Sequence, residues 1–423
     1  MLTERTKSIL LFTSYFAKGT DSKWKPLSVT EWNRFVRWLQ AKDINPEDFL
    51  TQDLNSLLIG WQDKVITKDR IFALLDRKPA LALALDKWIK VGIWIINRGD
   101  VSYPKKLKER LKENVPPILF GIGNKELLNL NYIGVVGSRK TNEKELQDTK
   151  ELGYNICIQG YGVVSGGARG VDENAMLGAL EANGNSVGFV ADSLINKSTS
   201  NIFRKYIMDG KLALVSPYNP ETGFNVGNAM SRNKLIYCQS LATIIVKSDI
   251  KGGTWEGAIE NIKQNWVPIW VLKNTESEGN AKIVKLGANW LPNNLEFDIN
   301  SLITTGFIKH NEPNLFFRTE LKQYNSKKTE ENIGLVNESI PFNENEIKVQ
   351  INEVSFFELF ILKLKELSKN KAVTKKEIID QLQITNSQLE EWLRTGIETK
   401  AIIKKSNPVA FIINPEKQIK IVF

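Results

Sequence analysis

The chain has 423 residues, of which 42% are hydrophobic and 25% charged, a composition that excludes a disordered protein and indicates two or three folded domains. Its formal net charge of +9 favours a polyanionic partner, although a generally lysine-rich proteome would give the same value. The single histidine, His310, and two cysteines without paired spacing, Cys157 and Cys238, exclude histidine-based catalysis, a zinc knuckle and a disulfide framework.

The first hundred residues predict a small helical domain. Trp32, Phe35 and Leu39 recur at steps of three and four residues, which is the period of an amphipathic helix. We therefore expect residues 1–100 to form a helical N-terminal domain of the SAM or helix-hairpin-helix kind. No signal peptide and no apolar run long enough to span a bilayer is found, so we expect a cytoplasmic protein without a membrane partner.

Short apolar strands alternate with helical stretches through residues 101–306. The predicted strands are 132–136, 162–165, 186–190, 212–216, 242–247 and 267–272. The predicted helices between them are 141–159, 171–183, 198–209, 233–240 and 254–264. This order is typical of an α/β fold, an extended Rossmann-like parallel sheet with helices on both faces. In such a sheet the ligand binds beyond the carboxyl ends of the strands.

The C-terminal part predicts a linker followed by a winged helix. Residues 307–350 are polar and without a period, which is typical of a linker. In residues 351–423, Thr374 and Glu377 have the spacing of a capping box, and two apolar runs flank 406–408 as a hairpin. Three helices and a hairpin in this order predict a C-terminal winged-helix domain.

The third helix of this domain carries acidic residues that would repel phosphate. Glu390 and Glu391 stand beside Arg394, where a duplex reader would contact DNA. We therefore favour a protein-contacting role, or a DNA contact through Lys404 and Lys405 in the wing, over recognition of a duplex operator.

Three segments of the predicted sheet domain combine small residues with a cation. The first two follow strands, and the third, 231–234, is predicted to open a helix. Glycines let a backbone approach phosphate, hydroxyls donate hydrogen bonds and an arginine can clamp two oxygens. The candidate DNA- or phosphate-binding residues are Gly137, Ser138, Arg139, Ser165, Gly166, Gly167, Arg169, Arg232, Asn233 and Lys234. The weaker candidates are Asp172, Gly252, Gly253 and Thr254.

Each of these segments has an ordinary structural explanation. A glycine after a strand is often only a tight turn, Asp172 is as well explained as a helix N-cap, and a single arginine is usually a solvated charge. Three segments at one predicted sheet edge favour a common anion site, because a parallel sheet brings such loops together.

The motif series resembles that of the DprA/Smf family in order and spacing. The resemblance runs through 137–139, 165–172 and 231–233, is preceded by Tyr103-Pro104 and 116–120, and covers roughly residues 103–292. It implies a helical N-terminal domain, a Rossmann domain that binds single-stranded DNA, and a variable winged-helix tail. It also implies a non-enzymatic mediator of DNA uptake and recombination, which dimerises through the Rossmann domain and hands the strand to a RecA-type recombinase.

The resemblance carries roles over to individual residues. Arg139, Arg169, Arg232 and Lys234 would be the cations that contact phosphate. The glycines and serines of the first two segments would supply backbone and hydroxyl contacts. No catalytic residue, metal or cofactor is implied.

Two segments depart from the family pattern. Residues 190–194 replace a glycine-rich turn followed by Tyr-Pro, and 251–257 replace a serine- and threonine-rich helix start. The chain therefore resembles a divergent branch of the family, for which a role outside natural transformation is an alternative. Trp255 and Trp266 are candidates for base stacking, although tryptophan is more often core packing.

A second hypothesis is a nucleotide-binding or nucleotide-cleaving sensor, in defence against foreign DNA. The segment 252–260 resembles the glycine-rich loop of the lysine-decarboxylase-like nucleotide-processing family, but in a shifted register. Glu256 or Asp192 would then act as general acid or base, and Thr254 is expected to be a helix N-cap. No Walker A motif is found, which argues against ATP hydrolysis. A third hypothesis is an adaptor whose winged helix recruits a partner.

Overall fold

A nine-stranded sheet lies at the centre of the first of two compact units. The structure is a computed structural model that describes residues 2–16, 24–273, 277–292, 295–306, 356–368, 372–382, 386–399, 401–406 and 409–413. In chain order the strands are β1 (Trp94–Asn97), β2 (Ile118–Gly123), β3 (Tyr132–Val136), β4 (Gly162–Ser165), β5 (Ser186–Phe189), β6 (Leu212–Ser216), β7 (Ala242–Ile245), β8 (Ile269–Val271) and β9 (Asn289–Trp290). They lie in the order β1-β2-β6-β5-β4-β3-β7-β8-β9.

The strands from β3 to β9 run parallel, and two further strands extend the sheet antiparallel to them. All pairs among β3 to β9 are parallel, with registers such as Ile133 opposite Val163 and opposite Ala242. The sequence did not predict β1 and β2, which pair antiparallel with each other and, through β2, with β6. The α/β fold with a mainly parallel sheet is confirmed.

Fifteen α-helices are described in this unit, and seven of them precede β2 in the chain. Those before β2 are α1 (Glu4–Thr13), α2 (Val29–Ala41), α3 (Asp48–Thr51), α4 (Leu54–Leu57), α5 (Lys68–Leu75), α6 (Lys78–Lys90) and α7 (Lys105–Leu111). The later ones are α8 (Glu143–Ile158), α9 (Val171–Glu181), α10 (Leu194–Ser198), α11 (Asn201–Met208), α12 (Val226–Gln239), α13 (Gly253–Gln264), α14 (Glu278–Lys285) and α15 (Ile299–Thr305).

Helices α1 to α6 form the predicted helical region, here called the helical layer. The ring centroid of Phe12 lies 5.6 Å from that of Trp32, 5.4 Å from that of Phe35 and 5.5 Å from that of Phe49. The layer ends earlier than residue 100, because 94–97 form β1 and pair with β2. Its apolar side chains also join the hydrophobic core of the sheet, so the layer and the sheet share one core.

Helix α12 begins two turns before the predicted start at residue 233. Asn225 caps the helix, because its side chain accepts a hydrogen bond of 3.0 Å from the N–H of Asn228. The first turns contain Gly227 and polar residues, which hide the helical period in the sequence. The sequence had predicted that the segment 231–234 opens a helix. In the structure this segment lies inside α12.

The second unit contains three helices and a two-stranded antiparallel sheet. The elements are α16 (Phe356–Leu367), α17 (Lys375–Leu382), α18 (Asn386–Glu398), β10 (Ile402–Ser406) and β11 (Val409–Ile413). The predicted capping box is confirmed: the N–H of Thr374 donates to Glu377 over 2.7 Å, and the N–H of Glu377 donates to the Thr374 hydroxyl over 3.3 Å. This order of elements is the one that a winged helix requires.

Acidic character on α18 is partly neutralised within this unit. The ammonium of Lys375 forms an ion pair with Glu390. The predicted linker 307–350, His310 and the side chains of Glu391 and Lys404 lie outside what the structure describes.

Candidate nucleic-acid interface

A pocket of about 270 Å³ lies at the carboxyl ends of β3 and β7. From β3 the chain crosses to β4 on one side of the sheet, while β7 lies on the other side, so the strand order reverses here. Ligands of open α/β sheets bind at such switch points. We call this cavity the switch-point pocket.

The structure brings most of the predicted residues together in the switch-point pocket. Those that line it are Gly137, Ser138, Arg139, Asp172, Arg232, Asn233, Gly252, Gly253 and Thr254. Those that do not line it are Ser165, Gly166, Gly167, Arg169 and Lys234. Loops separated by more than a hundred residues thus converge, as the parallel sheet predicted.

Arg139 is an exposed cation at the mouth of this pocket, which the exposed Lys251 also lines. Its guanidinium carbon lies 4.8 Å from the ring centroid of Phe224, a cation–π geometry. The loop is held by two backbone hydrogen bonds: Ser138 N–H donates to the Lys247 carbonyl over 2.9 Å, and Lys140 N–H donates to the Ser138 hydroxyl over 3.0 Å. The backbone is therefore fixed while the charge of Arg139 faces solvent.

Phe224 is a candidate binding residue that the sequence reasoning missed. Its side chain is 54% exposed and lines the pocket beside Arg139. An exposed aromatic ring next to a cation is suited to stacking on a nucleobase. In the sequence this residue could have been noticed as an isolated phenylalanine in the glycine- and asparagine-rich stretch 219–228.

Arg232, one of the cations expected to contact phosphate, is buried and forms the floor of the pocket. It is only 4% exposed, and its Nη1 donates to the Phe189 carbonyl over 2.8 Å and lies 4.0 Å from Oδ2 of Asp172. Its Nε–H has no hydrogen-bond partner among the residues that the structure describes. A buried N–H of this kind at a pocket floor is an available donor for an anion.

Asp172 and Arg232 are a coupled buried pair. Burial raises the pKa of Asp172, and the positive charges of Arg232 and Arg139 oppose that rise. Burial likewise lowers the pKa of Arg232, and the charge of Asp172 opposes it. The pair is largely self-neutralising, so the positive charge that the pocket presents to a ligand comes from its exposed lining cations, Arg139 and Lys251.

The second predicted segment supports the pocket and does not line it. Ser165 is buried, and its hydroxyl donates to the Val135 carbonyl over 2.6 Å. A Cβ on Gly166 would lie 1.7 Å from Nη1 of Arg232, so this glycine makes room for the buried guanidinium. Gly167 adopts a φ of +59°, which suits a tight turn, and Arg169 is exposed outside the pocket lining. The structure therefore places Ser165 and Gly166 behind the pocket lining, where they support Val135 and Arg232.

The start of α13 forms the opposite wall. Gly252 has a φ of +103° and is the N-cap, so Thr254 is not the cap that the sequence predicted. The side-chain amide of Asn233 donates to the Gly253 carbonyl over 2.8 Å and ties α12 to this turn. A Cβ on Gly252 would meet nothing within 4 Å, so the turn is open to a ligand. Helix N-termini of this kind attract anions.

The residues of the nucleotide-cleaving hypothesis lie elsewhere. Glu256 lines a separate depression of about 340 Å³, together with Lys234 and Lys263. Asp192 does not line the switch-point pocket. Trp255 is 5% exposed and packs in the core, as is more usual for tryptophan, and Trp266 is half-buried.

The described part of the chain contains neither a candidate metal site nor a candidate membrane span. No group of three or more histidine, cysteine, aspartate or glutamate side chains there could hold a metal ion. No described helix combines the length and apolarity that crossing a membrane requires.

Comparison with known proteins places this fold among DNA-processing proteins. The family model described as DNA recombination-mediator protein A matches residues 94–301. The DNA processing protein DprA of Bacillus subtilis (strain 168) is 27% identical over 236 residues, which cover 53% of this chain and 79% of that protein.

Solved structures of related proteins match as well. The X-ray structure of DprA from Streptococcus pneumoniae has a TM-score of 0.55 at 15% identity and covers 73% of this chain and 99% of its own, which shows the fold. A structure of DNA processing protein A from Helicobacter pylori, described for its single-stranded DNA binding mode, is 25% identical with a TM-score of 0.42. It covers 50% of this chain and 94% of its own.

Proposed function

Because the chain belongs through residues 94–301 to the DNA recombination-mediator protein A (DprA/Smf) family, we propose that its switch-point pocket binds the sugar-phosphate backbone of single-stranded DNA. The observation that carries this proposal is the unpartnered, buried Nε–H of Arg232 at the floor of a pocket whose mouth holds the exposed Arg139. The binding mode described for the Helicobacter pylori protein belongs to that protein, and for this chain the proposal rests on its own pocket.

Each wall of the pocket contributes a different interaction. The planar guanidinium of Arg139 grips phosphate oxygens at the mouth, and Arg232 donates its Nε–H from the floor. The open turn at Gly252 presents backbone amides at the start of α13. Phe224 stacks on a base face, and because every base has such a face, binding tolerates any sequence. With the net charge of +9, affinity falls as salt rises.

Arg139→Gln tests this proposal with labelled oligonucleotides titrated at several salt concentrations. We expect weaker binding and a slope of log K against log salt that is smaller by about 0.7, the value for one phosphate contact on a single strand. Lys285→Gln is the matched control, because Lys285 is exposed on α14 and lines none of the described cavities. Equal affinity and slope for Arg139→Gln and the wild type would refute the proposal. Arg232 is unsuitable for this test because its substitution would leave Asp172 buried and unpaired.

We do not propose nucleotide cleavage, because neither Glu256 nor Asp192 lines the pocket in which the phosphate-binding groups converge. The proposed role is that of a binding protein without a catalytic residue. A panel of nucleotides incubated with the protein and read by mass spectrometry would reveal any turnover.

The family relationship extends the proposal beyond the pocket. We propose a mediator of DNA processing that works in the cytoplasm, as a homodimer, and passes the strand to a RecA-type recombinase. We also propose that the helical layer and the sheet act as the helical and Rossmann-like parts, and that the second unit is a winged helix. Gly167, Arg169 and Lys234 remain proposed contacts for parts of the strand outside the pocket.

A further inference from the structure

A second cleft, of about 1020 Å³, lies between the helical layer and the sheet. Its walls come from the end of α1, the segment 24–29, the connector 114–118 and the loop 217–222, and α12 closes one side. The switch-point pocket does not account for this cleft, because the two cavities have different lining residues.

Helix α12 separates this cleft from the switch-point pocket. Ala229, Arg232 and Asn233 line the pocket, whereas Ser231 and Lys234 line the cleft. At 100° per residue these two sets lie on opposite faces of one helix. The cavities are therefore neighbours across the width of a single helix.

The ridge between the two cavities is formed by residues 222–228, at the start of α12. Thr222 and Asn228 line the cleft, and Phe224 and Val226 line the pocket. The ridge contains no carboxylate, so a polyanion crosses it without repulsion from acidic side chains.

The positive charge of the cleft is complementary to the negative charge of a nucleic acid. Lys25, Lys234, Arg70 and Glu31 are its charged lining residues. Arg70 and Glu31 form a buried ion pair at 2.8 Å and neutralise each other. The two lysines therefore leave the cleft positively charged.

Aromatic surface in the cleft is suited to unstacked bases. Tyr15 is 50% exposed, and Trp24 and Tyr218 also line the walls. Cationic grooves interleaved with aromatic rings are the usual surface for single strands.

We propose that this cleft holds the part of the same DNA strand that leaves the switch-point pocket, so that the protein grips one strand at two successive sites. The inference rests on the proposed function. The width of an α-helix with its side chains is about 10–12 Å. Adjacent phosphates of one strand in B-DNA are about 3.4 Å apart along the axis, so crossing α12 takes about three nucleotides.

The test compares oligonucleotides of about 4 and about 16 nucleotides, the range of site sizes of single OB folds. The variant is the full chain with Lys25→Glu and Lys234→Glu, and affinity is read by fluorescence anisotropy. We expect the long oligonucleotide to bind the wild type more tightly than the short one. The double variant should lose about tenfold in affinity for the long oligonucleotide and nothing for the short one. Lys125→Glu with Lys285→Glu, two exposed residues outside the described cavities, is the control of equal charge change.

Two results would overturn the inference: unchanged affinity of the double variant for the long oligonucleotide, or an equal loss for both lengths. If the proposed function itself is wrong, Arg139→Gln will leave the affinity for both oligonucleotides unchanged. Should the glutamate variant not fold, as judged by circular dichroism, Lys25→Gln with Lys234→Gln carries the same comparison. Tyr15→Ala is a second probe, which should also weaken only the long oligonucleotide.

Discussion

At the scale of single residues, the pocket depends on how one guanidinium is buried. Taking the charge of Arg232 out of water costs several kcal/mol, which Asp172 and the Phe189 carbonyl offset. The neighbouring chain must then be small, because a Cβ on Gly166 would lie 1.7 Å from Nη1 of Arg232 and 2.3 Å from Oδ2 of Asp172. Gly166 is therefore required because a larger residue would displace the buried guanidinium. It affects ligand binding only through the position of Arg232.

Gly166→Ala should displace Arg232, lower the free energy of unfolding by about 1–3 kcal/mol and weaken oligonucleotide binding. Urea denaturation measures the first effect and anisotropy the second. Gly223→Ala is the control for stability, because a Cβ there would meet nothing within 4 Å. Equal unfolding curves for the two variants would show that Arg232 does not need the space.

At the scale of elements, the helical layer holds the loop that carries Phe224. The side-chain amide of Asn219 donates to the Tyr15 carbonyl over 2.9 Å, at the end of α1. The indole N–H of Trp88 on α6 donates to Glu221 over 3.1 Å, and Lys87 forms an ion pair with the same carboxylate. Elements more than a hundred residues away in sequence therefore position the loop beside the pocket.

Glu221→Ala should weaken oligonucleotide binding, because the loop loses its attachment to α6. We also expect a loss of about 1–3 kcal/mol in the free energy of unfolding, since the buried N–H of Trp88 loses its acceptor. Asp86→Ala is the control, because it removes only an exposed pair with Lys90 on the same helix. Unchanged affinity with lowered stability would mean that the attachment matters for folding alone.

At the scale of the whole molecule, each of the two units has its own hydrophobic core. The first unit has two clusters of buried apolar side chains, and one of them joins the helical layer to the sheet; the rings of Trp88 and Phe120 lie 5.3 Å apart across this junction. The second unit has a separate core around Phe360, Leu393 and Phe411. Because the cores are separate, we expect the two units to fold independently when the chain is cut between them. A cut between the helical layer and the sheet should instead disrupt the first unit, since they share a core.

A fragment of residues 1–306 should therefore unfold cooperatively near the melting temperature of that unit in the full chain. A fragment that begins at residue 101 should not, because it lacks β1 and exposes the core that the helical layer covers. Calorimetry of both fragments measures this difference. Cooperative unfolding of the shorter fragment would show that the helical layer is an independent domain.

Local sequence patterns were sufficient to predict the parallel sheet and the edge at which the ligand groups meet. Alternating apolar strands and helices allow little else, and loops after parallel strands converge, so Arg139 and the turn at Gly252 could be placed in advance. The strands β1 and β2 could not, because they pair antiparallel and lie before the alternation of strands and helices that marked the other strands.

Tertiary contacts, and not local sequence, determine that Arg232 is buried, that Lys234 faces another cleft and that Phe224 lies at the pocket. Burial is set by neighbours such as Phe189 and Asp172, which are distant in sequence and brought together by strand order. The direction of a side chain on α12 depends on where that helix starts, and its polar first turns conceal the start. Local patterns thus define the elements, whereas contacts between distant segments decide which side chains reach a ligand.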